Sequence, residues 1–272
     1  MLKTRILTGA VITLILSLTV IFSHVSWVLP TVTICLCLQS IYELYRATYL
    51  KYNKPVYYIS CALAILFSIV TLPGAKYITT VLFVMAVVLF SYLMKKVKTM
   101  KGFHPLLSVL IAVMIVFFFG SMSGIRDMEN GAYLLGLTIL TPVITDIAAY
   151  FVGKGLGKHK LAPVISPKKT IEGCIGGTVT ATVILMLVAM ILQKHGVINV
   201  RYGVLSIYII LASLVGQFGD LALSAVKRIV KIKDYGELLP GHGGVLDRFD
   251  STLFVLPFTY LFCLCVGNIF II

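Results

Sequence analysis

Charge is scarce in this chain. Only 12% of its 272 residues are Asp, Glu, Lys or Arg, and only ten are acidic; soluble domains carry about 25% charged residues. There is no loop long enough for a separate soluble domain, no internal repeat and no low-complexity linker, which argues for a single domain. The six cysteines lie in apolar surroundings and none forms a C-x-x-C pair, so neither a disulfide framework nor a cysteine zinc site is implied. The basic N-terminus "MLKTRILTGA" precedes an apolar run but lacks an A-x-A-like cleavage site, so it reads as an uncleaved first span.

What the chain has is apolar length: 59% hydrophobic residues and a mean hydropathy of +1.03. A spanning helix takes about 20 mostly apolar residues. Nine candidates emerge, at 6–22, 25–42, 56–73, 77–94, 105–123, 131–152, 171–192, 203–228 and 250–271. The expected fold is an all-α polytopic integral membrane protein of about nine transmembrane helices, because helices satisfy their own backbone groups in lipid. Residues 1–130 would supply spans 1–5, a lipid-facing and oligomerising part. Residues 131–272 would supply spans 6–9 and two polar loops, 153–170 and 229–249.

The net charge of +13 does not point to nucleic acid. Nineteen of the 23 Lys and Arg fall on the side of the N-terminus; only Lys76, Arg126, Lys194 and Arg201 fall opposite. The positive-inside rule makes the rich side cytoplasmic, with the C-terminus outside. The remaining basicity suits an anionic lipid surface. Both long polar loops are then cytoplasmic, and in a bacterium the protein would sit in the cell membrane with its site facing the cytoplasm.

Seven of the ten acids cluster in the second half: Asp146, Glu172, Asp220, Asp234, Glu237, Asp247 and Asp250. Glu43 is expected to cap a cytoplasmic helix end. Asp146 and Asp220 lie inside predicted spans, where a carboxylate is costly and marks a functional interior or a helix–helix hydrogen bond. Asp220, Ser224, Lys227 and Lys231 follow one helix face toward a basic end. Asp220 and Asp247, on separate helices, suit Mg2+, which takes one or two protein carboxylates plus waters and phosphates. The alternative for Asp247 and Asp250 is compensation of a helix dipole. "GHGG" at 241–244 suits close backbone approach to phosphate, or a plain tight turn. In "SPKKTIEG", 166–173, Pro167 reads as a helix start with Ser166 as N-cap, which would put Lys168 and Lys169 at an anion-binding N-terminus. Gly173 and Gly177 form a small-residue packing face. "GKGLGKHK", 153–160, is not a Walker A loop: its spacing is one short, no Ser or Thr follows the lysine, and it follows an apolar helix.

The segment "SAVKRIVKIKDYGELLPGHGGVLDRFD", 224–250, resembles the signature of the phosphatidate cytidylyltransferase family. Ser224, Lys227, Arg228, Lys233, Asp234, His242, Gly243, Gly244, Asp247, Arg248 and Asp250 occupy every fixed position. "DIAAYFVGKGLGKHKLAP", "SPKKTIEG" and "GDL" at 219–221 resemble family segments too, so the likeness is strong over 146–257. Leu223 departs from an acid that many members carry there. The resemblance implies transfer of CMP from CTP to phosphatidic acid, giving CDP-diacylglycerol and pyrophosphate. It also implies Mg2+ on Asp220 and Asp247, an accompanying monovalent cation such as K+, and a homodimer in the bilayer.

Under this reading Asp220, Asp247, Lys227, Arg228 and Asp250 are the catalytic candidates. Ser166, Lys168, Lys169, Glu172, Ser224, Lys233, Asp234, His242, Gly243, Gly244, Arg248 and Asp146 are candidates for substrate binding. The nucleophile would be a phosphate already anionic at neutral pH, so catalysis rests on positioning and charge stabilisation. Two other classes compete. A CTP-dependent lipid-alcohol (polyprenol) kinase would release CDP, and a cation-coupled transporter would place its acids near the midplane and often carry inverted repeats.

Overall fold

The computed structural model describes residues 2–48, 54–69, 75–96, 98, 105–241 and 243–271. Among them are nine α-helices: α1 (Leu2–Ile21), α2 (Val28–Ala47), α3 (Lys54–Ile69), α4 (Ala75–Lys96), α5 (Pro105–Arg126), α6 (Gly131–Leu156), α7 (Ile171–Lys194), α8 (Tyr202–Ile229) and α9 (Asp250–Val266). Each answers one of the apolar segments of the sequence. Six regions are long and apolar enough to cross a membrane: Leu7–His24, Val28–Ala47, Leu107–Arg126, Gly131–Leu156, Ile171–Lys194 and Tyr202–Ile229. This is the architecture of an integral membrane protein.

The protein is mostly helical, as expected, and departs from the sequence reading in two local features. Lys160–Ala162 (β1) and Ser166–Thr170 (β2) pair antiparallel, as do Asn199–Val200 (β3) and Phe270–Ile271 (β4). The last helix therefore stops at Val266 and not near residue 271; Gly267, at φ 89°, turns the chain out of the helix. The other correction concerns Ser166 and Pro167, which do not start a helix. They lie on β2, and Thr170 is the N-cap of α7, its Oγ1 accepting from Gly173 N at 3.1 Å. Pro167 lacks an N–H, and the edge of a two-stranded pair tolerates that as well as a first helical turn does. Lys168 and Lys169 are thus presented from a strand.

α9 is apolar over most of its length and buried along it, from Asp250 through Pro257. Such a helix belongs inside a bundle rather than on its surface. Phe254 is its hub: its ring centroid lies 5.4 Å from those of Phe90 and Phe118 and 5.7 Å from that of Phe218. These edge-on contacts join α4, α5 and α8 to α9. Buried hydroxyls add cross-helix bonds, with Tyr208 Oη and Thr259 Oγ1 2.7 Å apart and Thr138 Oγ1 donating to Thr259 Oγ1 at 3.1 Å.

α6 and α7 pack closest, through the small-residue face foreseen at Gly173 and Gly177. A Cβ on Gly177 would lie 2.7 Å from Thr145 O and 2.8 Å from Ala149 Cβ. Gly177→Ala is therefore expected to pry the pair apart and destabilise by about 1–3 kcal/mol, the usual cost of overpacking. A thermal melt in detergent measures it. Gly155→Ala serves as the control, because a Cβ there meets nothing within 4 Å.

The bundle gathers its polar connections at two ends. At one, Asn268 Nδ2 donates to Glu129 O at 3.0 Å and Arg201 N to Ile269 O at 3.0 Å. At the other, Arg228 Nε donates to Ile165 O at 3.0 Å, tying the end of α8 to the β1–β2 turn. This second end carries both long polar loops.

Candidate active site

At that end a cavity of about 740 Å³ opens among α6, the β1–β2 hairpin, α8 and the start of α9. Its acids are Asp146, Asp220, Asp247 and Asp250; its cations are Lys154, Lys160, Lys168, Lys169, Lys227 and Arg248. A neighbouring cavity of about 530 Å³ is lined by Lys233, Asp234, Glu237, Gly243 and Arg248. Arg248 therefore fronts both.

α8 contributes the first carboxylate. Asp220 Oδ2 lies 2.6 Å from Lys169 Nζ, and Oδ1 accepts from Ser224 Oγ at 3.1 Å. The second contact follows from the i, i+4 spacing that puts both residues on one helix face. Asp146 Oδ2, from α6, accepts from Ser251 Oγ at 2.9 Å, and Asp250 Oδ1 accepts from Ser251 N at 2.8 Å. Asp250 feels the charges of both Asp220 and Asp146. Lys169 lies among all three carboxylates. Burial pulls its ammonium toward the neutral form, but Asp220 and Asp146 outweigh burial and hold its pKa above the ordinary lysine value.

Asp247 is differently employed. Its side chain is 1% exposed. Oδ1 accepts from Lys227 Nζ at 2.8 Å; Oδ2 accepts from Tyr235 N at 2.7 Å and Gly244 N at 3.0 Å. Oδ1 takes a single donor and keeps a lone pair, and Asp247 is among the residues that line the cavity. Lys227 also lies 5.5 Å from the centroid of the Tyr235 ring, a cation–π contact. Tyr235 in turn donates its hydroxyl to Leu223 O at 2.9 Å. Burial, with the Asp247 and Asp250 carboxylates behind it, pushes its phenol well above the ordinary range, so it stays a neutral donor.

Some expected residues stand apart from the main cavity. Glu172 is turned onto the preceding loop, where Oε1 meets His159 Nδ1 at 2.6 Å and both oxygens accept from His159 N at 3.1 and 3.2 Å. Ser166 lies on β2 beside the Arg228–Ile165 contact and does not line the cavity. Lys233 and Asp234 line the second cavity, not the first. Gly243, at φ 90°, takes a backbone conformation that L side chains rarely adopt. His242 lies outside the described residues.

Two residues at the site, Ser251 and Tyr235, escaped sequence reasoning and carry no motif signal. Glu43, the only acid before Asp127, was expected to cap a helix end, but not against the 243–249 segment. It is 1% exposed, and its carboxylate accepts from Val245 N and Leu246 N, both at 2.9 Å.

Among the described residues no three His, Cys, Asp or Glu side chains form a group able to hold a metal by themselves. Asp146, Asp220 and Asp250 nevertheless front one cavity with the Ser224 and Ser251 hydroxyls beside them. That donor set is all hard oxygen, the set Mg2+ accepts when phosphates and water complete its shell.

Known proteins resemble this chain in sequence. The cytidylyltransferase family matches residues 3–266. The phosphatidate cytidylyltransferase of Bacillus subtilis (strain 168) is 53% identical over 116 residues, 43% of this chain and 42% of that protein. Its counterpart in Staphylococcus saprophyticus (strain ATCC 15305) is 45% identical over 138 residues, 51% of this chain and 52% of that protein. That of Staphylococcus aureus (strain COL) is 43% identical over 138 residues. The chain thus spans about half the length of the curated relatives it matches. With the family's match running through all nine helices and across the cavity, the chain belongs to the cytidylyltransferase family.

Proposed function

We propose that this chain is a phosphatidate cytidylyltransferase, joining CTP and phosphatidic acid into CDP-diacylglycerol and pyrophosphate. One observation carries the reading beyond the family match. Residues far apart in sequence, on α6, β2, α8 and the start of α9, converge on one cavity that mixes acids with a larger number of cations. Two phosphate-bearing substrates need that mixture: cations to neutralise them and carboxylates to order the cations.

A lipid phosphate oxygen attacks the α-phosphorus of CTP. A new P–O bond forms there, the bond to the β-phosphate breaks, and pyrophosphate leaves. The nucleophile is anionic at neutral pH and needs no strong base. Lys168, Lys227 and Arg248 stand at the cavity to hold phosphate oxygens, Arg248 being the one suited to bidentate contact. Lys233 and Asp234 in the adjoining cavity are placed for the polar parts of the nucleotide. Mg2+ would sit on Asp220 and Asp247, with Asp250 a further carboxylate at the same cavity. Bound there, it would neutralise charge on the transferring phosphates.

The lysine and arginine asymmetry supports nine spans with this end cytoplasmic, where phosphatidic acid arrives from the bilayer and CTP from water. The family resemblance supports a homodimer and an accompanying monovalent cation. The test is product analysis on the purified protein in mixed micelles with CTP, phosphatidic acid and Mg2+. Pyrophosphate and CDP-diacylglycerol should form together and stop when the metal is chelated. CDP as the nucleotide product would make the protein a lipid kinase. No turnover by a folded sample would overturn the reading.

A further inference from the structure

Glu43 is a buried carboxylate outside the signature, and the site's chemistry does not use it. It lies in the last two turns of α2, far from residues 146–250 in sequence. Its Oε1 accepts from Val245 N and from Gln39 Nε2 at 2.8 Å, and its Oε2 accepts from Leu246 N at 2.9 Å. Among the described residues no lysine or arginine pairs with it.

The acceptors meet a particular need. Arg248 N and Phe249 N donate to Val245 O, and Leu253 N donates to Phe249 O, so residues 245–249 already form a helical lead-in to α9. The first N–H groups of a helical turn have no partner within it. Glu43 takes two of them, and Asp247 takes the one at Gly244. The seat is also shaped for this residue. A Cβ on Gly236 would lie 2.7 Å from Glu43 Oε1, and one on Gly244 2.6 Å from Glu43 Cδ. Two glycines on either side of the signature loop leave the space the carboxylate fills.

We infer that Glu43 is a positioning residue: a helix cap supplied by another helix, which fixes the 243–248 turn so that Arg248 and Asp247 face the cavities. The inference rests on the proposed cytidylyltransferase reading for its kinetic consequence, but not for its structural one. It gives the N-terminal helices a share in the active site.

Glu43→Gln tests it. Glutamine keeps the size and removes the charge, and it turns an NH2 group toward a backbone donor. With pyrophosphate release as the assay, kcat should fall at least tenfold, with the melting temperature within a few degrees of wild type. Gly244→Ala, which leaves Glu43 in place but crowds it, should lower kcat with the same signature. Hydrogen exchange over the 243–249 segment gives a readout independent of turnover. Its amides should exchange at least tenfold faster in Glu43→Gln, with the α5 and α8 segments unchanged. Wild-type kcat together with wild-type exchange would overturn the inference. So would an activity loss accompanied by uniform loss of protection, since that is global destabilisation. If the wild-type enzyme makes no pyrophosphate, the functional reading fails, and the exchange experiment still decides the role of Glu43.

Discussion

Asp247→Ala should cost roughly 3–5 kcal/mol of stability, the range for breaking a buried ion pair from one side, and should abolish turnover. Three donors converge on this carboxylate: Lys227 Nζ, Tyr235 N and Gly244 N. The side chains of Asp247 and Lys227 are 1% and 10% exposed, so water replaces little of what is lost. Deleting the acceptor leaves an ammonium and two backbone N–H groups without a partner in low dielectric, and each is expensive to leave unmade. A second substitution separates stability from chemistry. In Asp247→Ala/Lys227→Met the orphaned charge is gone, and much of the lost melting temperature should return while activity stays absent. A single variant that melts with wild type would show that the three donors find other acceptors.

Lys169→Met is expected to lower turnover on the order of 100-fold, the scale for removing one well-placed electrostatic group. The wild-type lysine lies 2.6 Å from Asp220 and within the field of Asp146 and Asp250. Without it, three carboxylates share one cavity, and like charges at short range cannot all remain ionised. An added divalent cation then meets less competition. Mg2+ should raise the melting temperature of Lys169→Met more than that of wild type. An equal rise in both would mean that the metal does not share these carboxylates. The pH direction follows from the raised lysine pKa. The favourable pairing is complete below the unfolded lysine value of 10.5 and is lost as pH rises through the higher folded value. Across the neutral range the wild-type site therefore keeps its cation.

Much of the site was legible because its residues repeat a local pattern. Asp220 and Ser224 are one helical turn apart, and the structure bonds them. Gly173 and Gly177, four apart, became the α6–α7 contact. The expectation for Lys168 and Lys169 went the other way. Ser-Pro is as much at home on an edge strand as at a helix start, and the deciding group was the Thr170 hydroxyl three residues later. Asp247 stood out by its company, but its three donors, from residues 3, 12 and 20 positions away, were not legible in the sequence.

Apolar periodicity and length determined the number and order of the helices, because burial in lipid is a property each segment has on its own. Clustering of rare acids pointed to the part of the chain that lines the polar cavity. Tertiary structure alone decided which donors each carboxylate meets. A side chain's last hydrogen-bond partner is set by three-dimensional proximity, and sequence spacing does not encode that beyond a helical turn. Glu43 shows it most plainly, since its partners lie 202 and 203 residues away.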